Sequence, residues 1–165
     1  MLKNKFNSPR ETKIFAADFA KKLVKKRRRR ALILALTGEL GSGKTTFIHG
    51  FLRGLGIRKK ITSPTFILMK KYQIPKSKFQ TNSKLPINQL TNYHFAYHID
   101  CYIIKKLQEL IPLGPKEILN NPQNIVLIEW VEKIKRILPQ NTIWLKFAHG
   151  EKINERIIKH TLFGK

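Results

Sequence analysis

Ala31-Leu-Ile-Leu-Ala-Leu-Thr-Gly38-Glu-Leu-Gly41-Ser-Gly43-Lys44-Thr45-Thr46-Phe47 decides how this chain is built. Residues 31–36 form an uninterrupted apolar run between a basic cluster and Thr37-Gly38, the pattern of a strand buried on both faces. From Lys44 to Leu55, the apolar residues Phe47, Ile48, Phe51, Leu52 and Leu55 share one helical face, and Gly56 is placed to end the helix. Between the two elements, Gly38 to Thr45 matches G-x-x-x-x-G-K-[ST] at every fixed position. Glycines allow successive backbone N–H groups to turn inward around a phosphate, and the helix that follows presents its positive end to the same point. Gly41, Ser42 and Gly43 are therefore expected to wrap phosphate, with Lys44 neutralising its oxygens and the Thr45 hydroxyl available to Mg²⁺. Thr46 either assists the phosphate or packs in the first helical turn. A glycine-rich turn without nucleotide chemistry is the competing reading, and the buried strand before the motif and the helix after it count against it.

Upstream, Ser8-Pro9-Arg10-Glu11 has the form of a capped helix start, and the spacing of Ile14, Phe15, Phe19 and Leu23 predicts a helix to about Lys26. Downstream, strands are expected at Thr65–Lys71, Tyr97–Tyr102 and Ile125–Glu129. Short helices are expected at Pro115–Leu119 and Val131–Ile137, and a closing strand pair at Thr142–Phe147 and Arg156–Leu162. The stretch 73–92 is polar, lysine-rich and without period, so it is expected to be a surface-loop insertion. No internal repeat or linker divides the chain, and one domain over 1–165 is expected. The fold class is α/β, a mostly parallel central sheet flanked by helices with a small antiparallel C-terminal part.

Composition narrows the possibilities. Lys and Arg together number 33 against 10 Asp and Glu, a formal charge of +23. Such an excess is the electrostatic footprint of a protein that meets polyphosphate, most often RNA or DNA, and it identifies no particular partner. Alternatively, 24 lysines beside 21 isoleucines and 10 asparagines are a compositional bias of an AT-rich genome. The longest apolar run is far shorter than the roughly 20 residues that span a bilayer. With no signal-like N-terminus and a single cysteine, Cys101, a cytoplasmic location without membrane contact is expected.

A phosphate loop needs a carboxylate at a neighbouring strand end to support the metal. Ile125-Val-Leu-Ile-Glu129 has that form, with Glu where Asp is commoner. The alternative is a strand that simply exits at a charge. Asp100, one of two aspartates in the chain, sits in the strand-like alternation Tyr97-His98-Ile99-Asp100-Cys101-Tyr102 and is the other candidate, the alternative being a hydrogen-bonding strand-end Asp.

Taken in order, Gly38–Phe47, Thr62-Ser63-Pro64-Thr65-Phe66, His98-Ile99-Asp100-Cys101-Tyr102 and Glu129-Trp130 resemble the signatures of the bacterial tRNA threonylcarbamoyladenosine biosynthesis ATPases, the TsaE or YjeE family. The resemblance covers about residues 8 to 160. It implies a P-loop ATPase that uses ATP and Mg²⁺, with Lys44 and Thr45 on phosphates and metal and Glu129 supporting the metal. It also implies Thr65 on a switch-like segment near the γ-phosphate and Asp100 positioning metal waters or the attacking water. Trp130 would lie close to the nucleotide, although a core indole after a strand is an equal reading, and Arg156 resembles a family arginine that reaches the nucleotide. The implied partners are the paired, kinase-like threonylcarbamoyl transferase subunits, which the ATPase binds and resets between turnovers that make the t6A modification of tRNA. Two positions depart from the family pattern: Ile103 stands where an arginine is usual and Val131 where proline is common. The competing functions are a P-loop small-molecule kinase and a basic RNA-binding module with a relic P-loop. The first ordinarily needs an arginine-bearing lid, yet between residues 30 and 135 the arginines are Arg53 and Arg58 alone.

Overall fold

The computed structural model describes residues 1–26, 28–75 and 92–161. Ser8 caps helix α1 (Pro9–Leu23): its hydroxyl accepts from the Glu11 N–H, and Glu11 in turn accepts from the backbone of Asn7 rather than of Ser8. The apolar run after it forms β2 (Leu32–Thr37), and helix α2 (Lys44–Gly54) follows the loop. Gly56 closes α2 in the left-handed conformation at φ +85°, with its N–H bonded to Arg53 O and the Ile57 N–H to Leu52 O. That is the two-bond helix ending in which glycine relieves the Cβ clash.

One sheet of seven strands runs β1 (Leu2–Phe6), β7 (Arg156–His160), β6 (Ile143–His149), β2, β5 (Asn124–Glu129), β4 (Phe95–Asp100) and β3 (Met69–Gln73). The four central strands β6, β2, β5 and β4 are parallel. The expected antiparallel closing pair, β6 and β7, is present, and β1 adds antiparallel to β7. At the opposite edge β3 also pairs antiparallel with β4, so the antiparallel part is not confined to the C-terminal end.

Period-two alternation splits the core into two halves. Leu32, Leu34, Leu36, Leu127 and Phe147 face α1 and α2, while Ile33, Ala35, Val126 and Ile128 face α3 (Pro115–Asn120) and the 3₁₀ turns Leu107–Leu113 and Val131–Ile137. Being covered on both sides is why β2 reads as continuous apolar sequence. Helices α1 and α2 pack so closely that a Cβ on Gly50 would lie 2.5 Å from Lys13 O and one on Gly54 2.5 Å from Ala17 O.

Three sequence expectations shift. Strand β1 was not anticipated, because four of its five side chains are polar or solvent-facing and Phe6 alone is buried. The strand expected from Thr65 begins only at Met69: residues 65–68 turn, with the Ile67 N–H bonded to Pro64 O and Leu68 at φ +60°. Gln73, expected to open the loop, ends β3, while residues 76–91 of that expected insertion lie outside the described residues.

Candidate functional site

The parallel register assembles the site. Asp100 pairs with Glu129 and Glu129 with Leu36, so two carboxylates stand side by side at the carboxyl ends of β4 and β5, next to the loop that leaves β2. This is the end of a parallel sheet at which ligands bind in open α/β folds. Gly38 leaves β2 at φ +133°, where a Cβ would come within 2.3 Å of Phe147 O, and Gly41 and Gly43 are also left-handed. At Gly38 only a residue without a side chain carries the backbone through that path.

The cleft this creates has a volume of about 290 Å³ and is lined by Gly41 to Thr46, Ser63, Thr65, Asp100, Glu129 and Trp130, with Leu40 and Tyr102 at its edges. The Thr45 hydroxyl donates to the Glu129 carboxylate, 3.0 and 2.9 Å from its two oxygens. Glu129 is itself 2% exposed and is held from behind by His98 Nε2 at 2.8 Å. The Lys44 ammonium donates to Gly38 O at 2.7 Å and Glu39 O at 2.8 Å, and lies 3.9 Å from the centroid of a Trp130 ring. Burial lowers the Lys44 pKa, a pull opposed first by Glu129 and then by Glu132 and Asp100. Ser42 bonds Glu39 O at 2.6 Å and so braces the loop internally. Thr46 is half-buried on the cleft wall.

Across the cleft, Asp100 Oδ2 accepts from Thr65 at 2.5 Å and Ser63 at 3.4 Å, and Oδ1 accepts from the Tyr102 N–H at 2.9 Å. Lys70, at the start of β3, bonds the Thr62 hydroxyl and ties the same segment to the sheet. Trp130 adopts φ +56°, unusual for a side chain of its size, and this turns the indole off the end of β5 toward Lys44 and Tyr102, whose ring centroid is 5.0 Å away. It lines the cleft and also packs, partly buried, against the second core half.

Arg156 stands beside the loop rather than in the cleft. Its Nε donates to Gly41 O at 3.0 Å, and its Nη1 is bound to the carbonyls of Ile153 and Glu155. Sequence reasoning did not single out Ser63, Tyr102, His98 or His149 as site residues. His149 Nε2 lies 3.1 Å from Leu40 O, and a Cβ on Gly41 would sit 3.6 Å from the same imidazole. For His98 a signal existed: it lies two residues before Asp100, hence on the same face of the strand.

The arrangement offers a cationic, amide-lined loop facing two carboxylates and two hydroxyls. Its donors at Thr45 and Glu129 are the hard oxygens that suit Mg²⁺. The family model for threonylcarbamoyl adenosine biosynthesis protein TsaE matches residues 6–158. A Haemophilus influenzae protein named tRNA threonylcarbamoyladenosine biosynthesis protein TsaE is 32% identical over 152 residues, covering 92% of this chain and 85% of its own. Proteins of the same name from Bacillus subtilis and Rickettsia typhi are 34% and 38% identical, covering 95% and 88% of this chain and 83% and 87% of theirs. Among solved structures, Bacillus subtilis YdiB superimposes with a TM-score of 0.67 at 28% identity, over 99% of this chain and 86% of that one. The loop, the two strand-end carboxylates and the matched sequence span agree, and the chain belongs to the TsaE family.

Proposed function

We propose that this protein is an Mg²⁺-dependent ATPase that assists the t6A modification of tRNA by binding and resetting the threonylcarbamoyl transferase complex. The observation that carries the reading is the meeting of the P-loop with a strand-end carboxylate, Thr45 Oγ1 lying 2.9 and 3.0 Å from the oxygens of Glu129. Family membership supplies the pathway, since the relatives are named for threonylcarbamoyladenosine biosynthesis.

Residues 41–45 would hold the phosphates through backbone N–H groups and the Lys44 ammonium, which exchanges its two carbonyl acceptors for phosphate oxygens. Thr45 and Glu129 would hold Mg²⁺, which supplies charge neutralisation at the phosphate oxygens. His98 fixes the orientation of Glu129 by taking up one of its oxygens. On the opposite wall, Asp100 would accept a hydrogen bond from the attacking water and orient it, while Thr65 and Ser63 keep that carboxylate aimed at the cleft. Trp130 forms the lip that excludes solvent from the Lys44 side.

ATP hydrolysis by the purified chain, measured with and without the cognate transferase subunits, tests the reading. Slow turnover alone and a clear increase with the subunits is the expected result. No nucleotide binding, or phosphate transfer to a small-molecule acceptor in place of hydrolysis, would overturn it.

A further inference from the structure

A second cavity, larger than the nucleotide cleft at about 370 Å³, opens on the outer face of the helical layer. Its walls come from α1 (Lys13, Ile14, Ala17), from α2 (His49, Gly50, Arg53) and from the connection that follows α2 (Lys60, Ile61). The lining is of two kinds. Ile14, Ala17, Gly50 and Ile61 bring no polar side-chain atom, and Ile14 is 55% exposed. Lys13, Arg53 and Lys60 are cations that form no ion pair among the described residues, Arg53 reaching only the Ile57 carbonyl. His49 completes the wall, its Nε2 buried without a hydrogen-bond partner among the described residues.

From this geometry we propose that the groove between α1 and α2 docks an acidic amphipathic helix of a protein partner. Ile14 and Ala17 lie one helical turn apart on α1, so the apolar floor has the pitch of an apolar stripe on an incoming helix. The three cations around that floor, without an ion pair among the described residues, select glutamates or aspartates flanking the stripe and repel basic segments. A nucleic-acid backbone would engage the cations and leave the apolar floor uncovered, which is why the protein partner is preferred.

Occupancy has a route to the nucleotide site. One wall of the groove is α2, whose first residues are Lys44 and Thr45. Another is Lys60-Ile61, immediately before the Thr62–Thr65 stretch that hydrogen-bonds Lys70 and Asp100. A helix seated between them braces the P-loop helix against the segment that aims Asp100. The docking surface deepens the ATPase reading and rests on it for this consequence, although binding itself does not.

The test uses the full chain and a synthetic helical peptide with a leucine stripe flanked by glutamates. Saturable binding that shifts the amide resonances of Ile14, Gly50 and Ile61 is expected, and the double substitution Lys13→Glu with Lys60→Glu should weaken it by at least about tenfold. The exposed site Ile14→Asp should have a comparable effect. Binding that leaves those resonances unmoved, or no binding, overturns the proposal, as does displacement of the peptide by single-stranded RNA with the same resonances perturbed. In parallel, the double variant should keep the wild-type ATP affinity and lose stimulation by the transferase subunits. Absence of nucleotide binding by the wild type would defeat the ATPase reading alone, because the peptide experiment still decides the groove.

Discussion

Lys44 and Glu129 line the same cleft, and in the proposed function they act at different stages, so their substitutions should separate. Lys44→Ala removes the one ammonium at the loop, and calorimetric titration should show ATP affinity reduced by about 10- to 100-fold, the value of a lost charge-assisted contact. Glu129→Gln leaves the loop intact and should spare much of the binding while abolishing Mg²⁺-dependent turnover. Full turnover in Glu129→Gln would remove that residue from the metal site. Cys101 serves a different purpose at this scale. Fully buried behind the strand end, its thiol is pushed up to about 12, by burial first and then by the Asp100 charge. A thiol reagent should therefore leave the native chain unlabelled at neutral pH and label it on unfolding. Because the folded chain holds this proton more tightly, its contribution to stability is complete below the unfolded value of about 9 and is lost as pH rises toward 12. Cys101→Ala should flatten that alkaline decline in a set of urea melts.

Among the elements, the contact between α1 and α2 is set by backbone approach rather than by large side chains. Gly50 and Gly54 lie one turn apart and meet Lys13 and Ala17, also one turn apart, with a built Cβ 2.6 Å from the Cα atom in each case. Neither neighbour is the end of a flexible side chain, so the helices must separate to admit a methyl group. Gly54→Ala should cost about 1–3 kcal/mol in denaturant unfolding, despite the better helix propensity of alanine. A neutral or stabilising result would show that the two helices can slide apart freely. The apolar face of α2 was plain from spacing, with Phe47, Ile48, Phe51 and Leu52 all fully buried. The glycine stripe was not, since an isolated glycine in a helical pattern looks only like a weak point.

For the molecule as a whole, the placement of cations sets an expectation for the rate of the proposed ATPase. Arg53 lies near the C-terminal end of α2, and Arg156 is spent on the carbonyls of Gly41, Ile153 and Glu155. Lys70 is engaged with Thr62, and Ile103 is exposed where the family resemblance leads one to expect arginine. Arginines delivered to a transferring phosphoryl group contribute about 10³–10⁵ in rate. The purified chain should accordingly turn over ATP well below about 1 s⁻¹, the lower end of the common enzyme range, and steady-state assays with added transferase subunits should recover part of the deficit. Turnover near or above that rate by the chain alone would mean the site is already complete. No helix among the described residues is long and apolar enough to cross a membrane. The local signals in the chain were sufficient for the phosphate loop, for β2 and α2 on either side of it, for the capped start of α1 and for the antiparallel closing pair. Each depends on neighbours within a few positions, and glycine placement or apolar period reports those directly. The sequence could nominate Glu129 and Asp100 as strand-end acids, but their meeting with Thr45, Thr65 and Ser63 depends on a parallel register between strands far apart in the chain. Also tertiary are the edge strand β1, which pairs with β7 while burying one of its five side chains, the cation-lined groove between two helices, and the final position of Arg156. These are set by which distant backbones and charges come together, and no local periodicity records that.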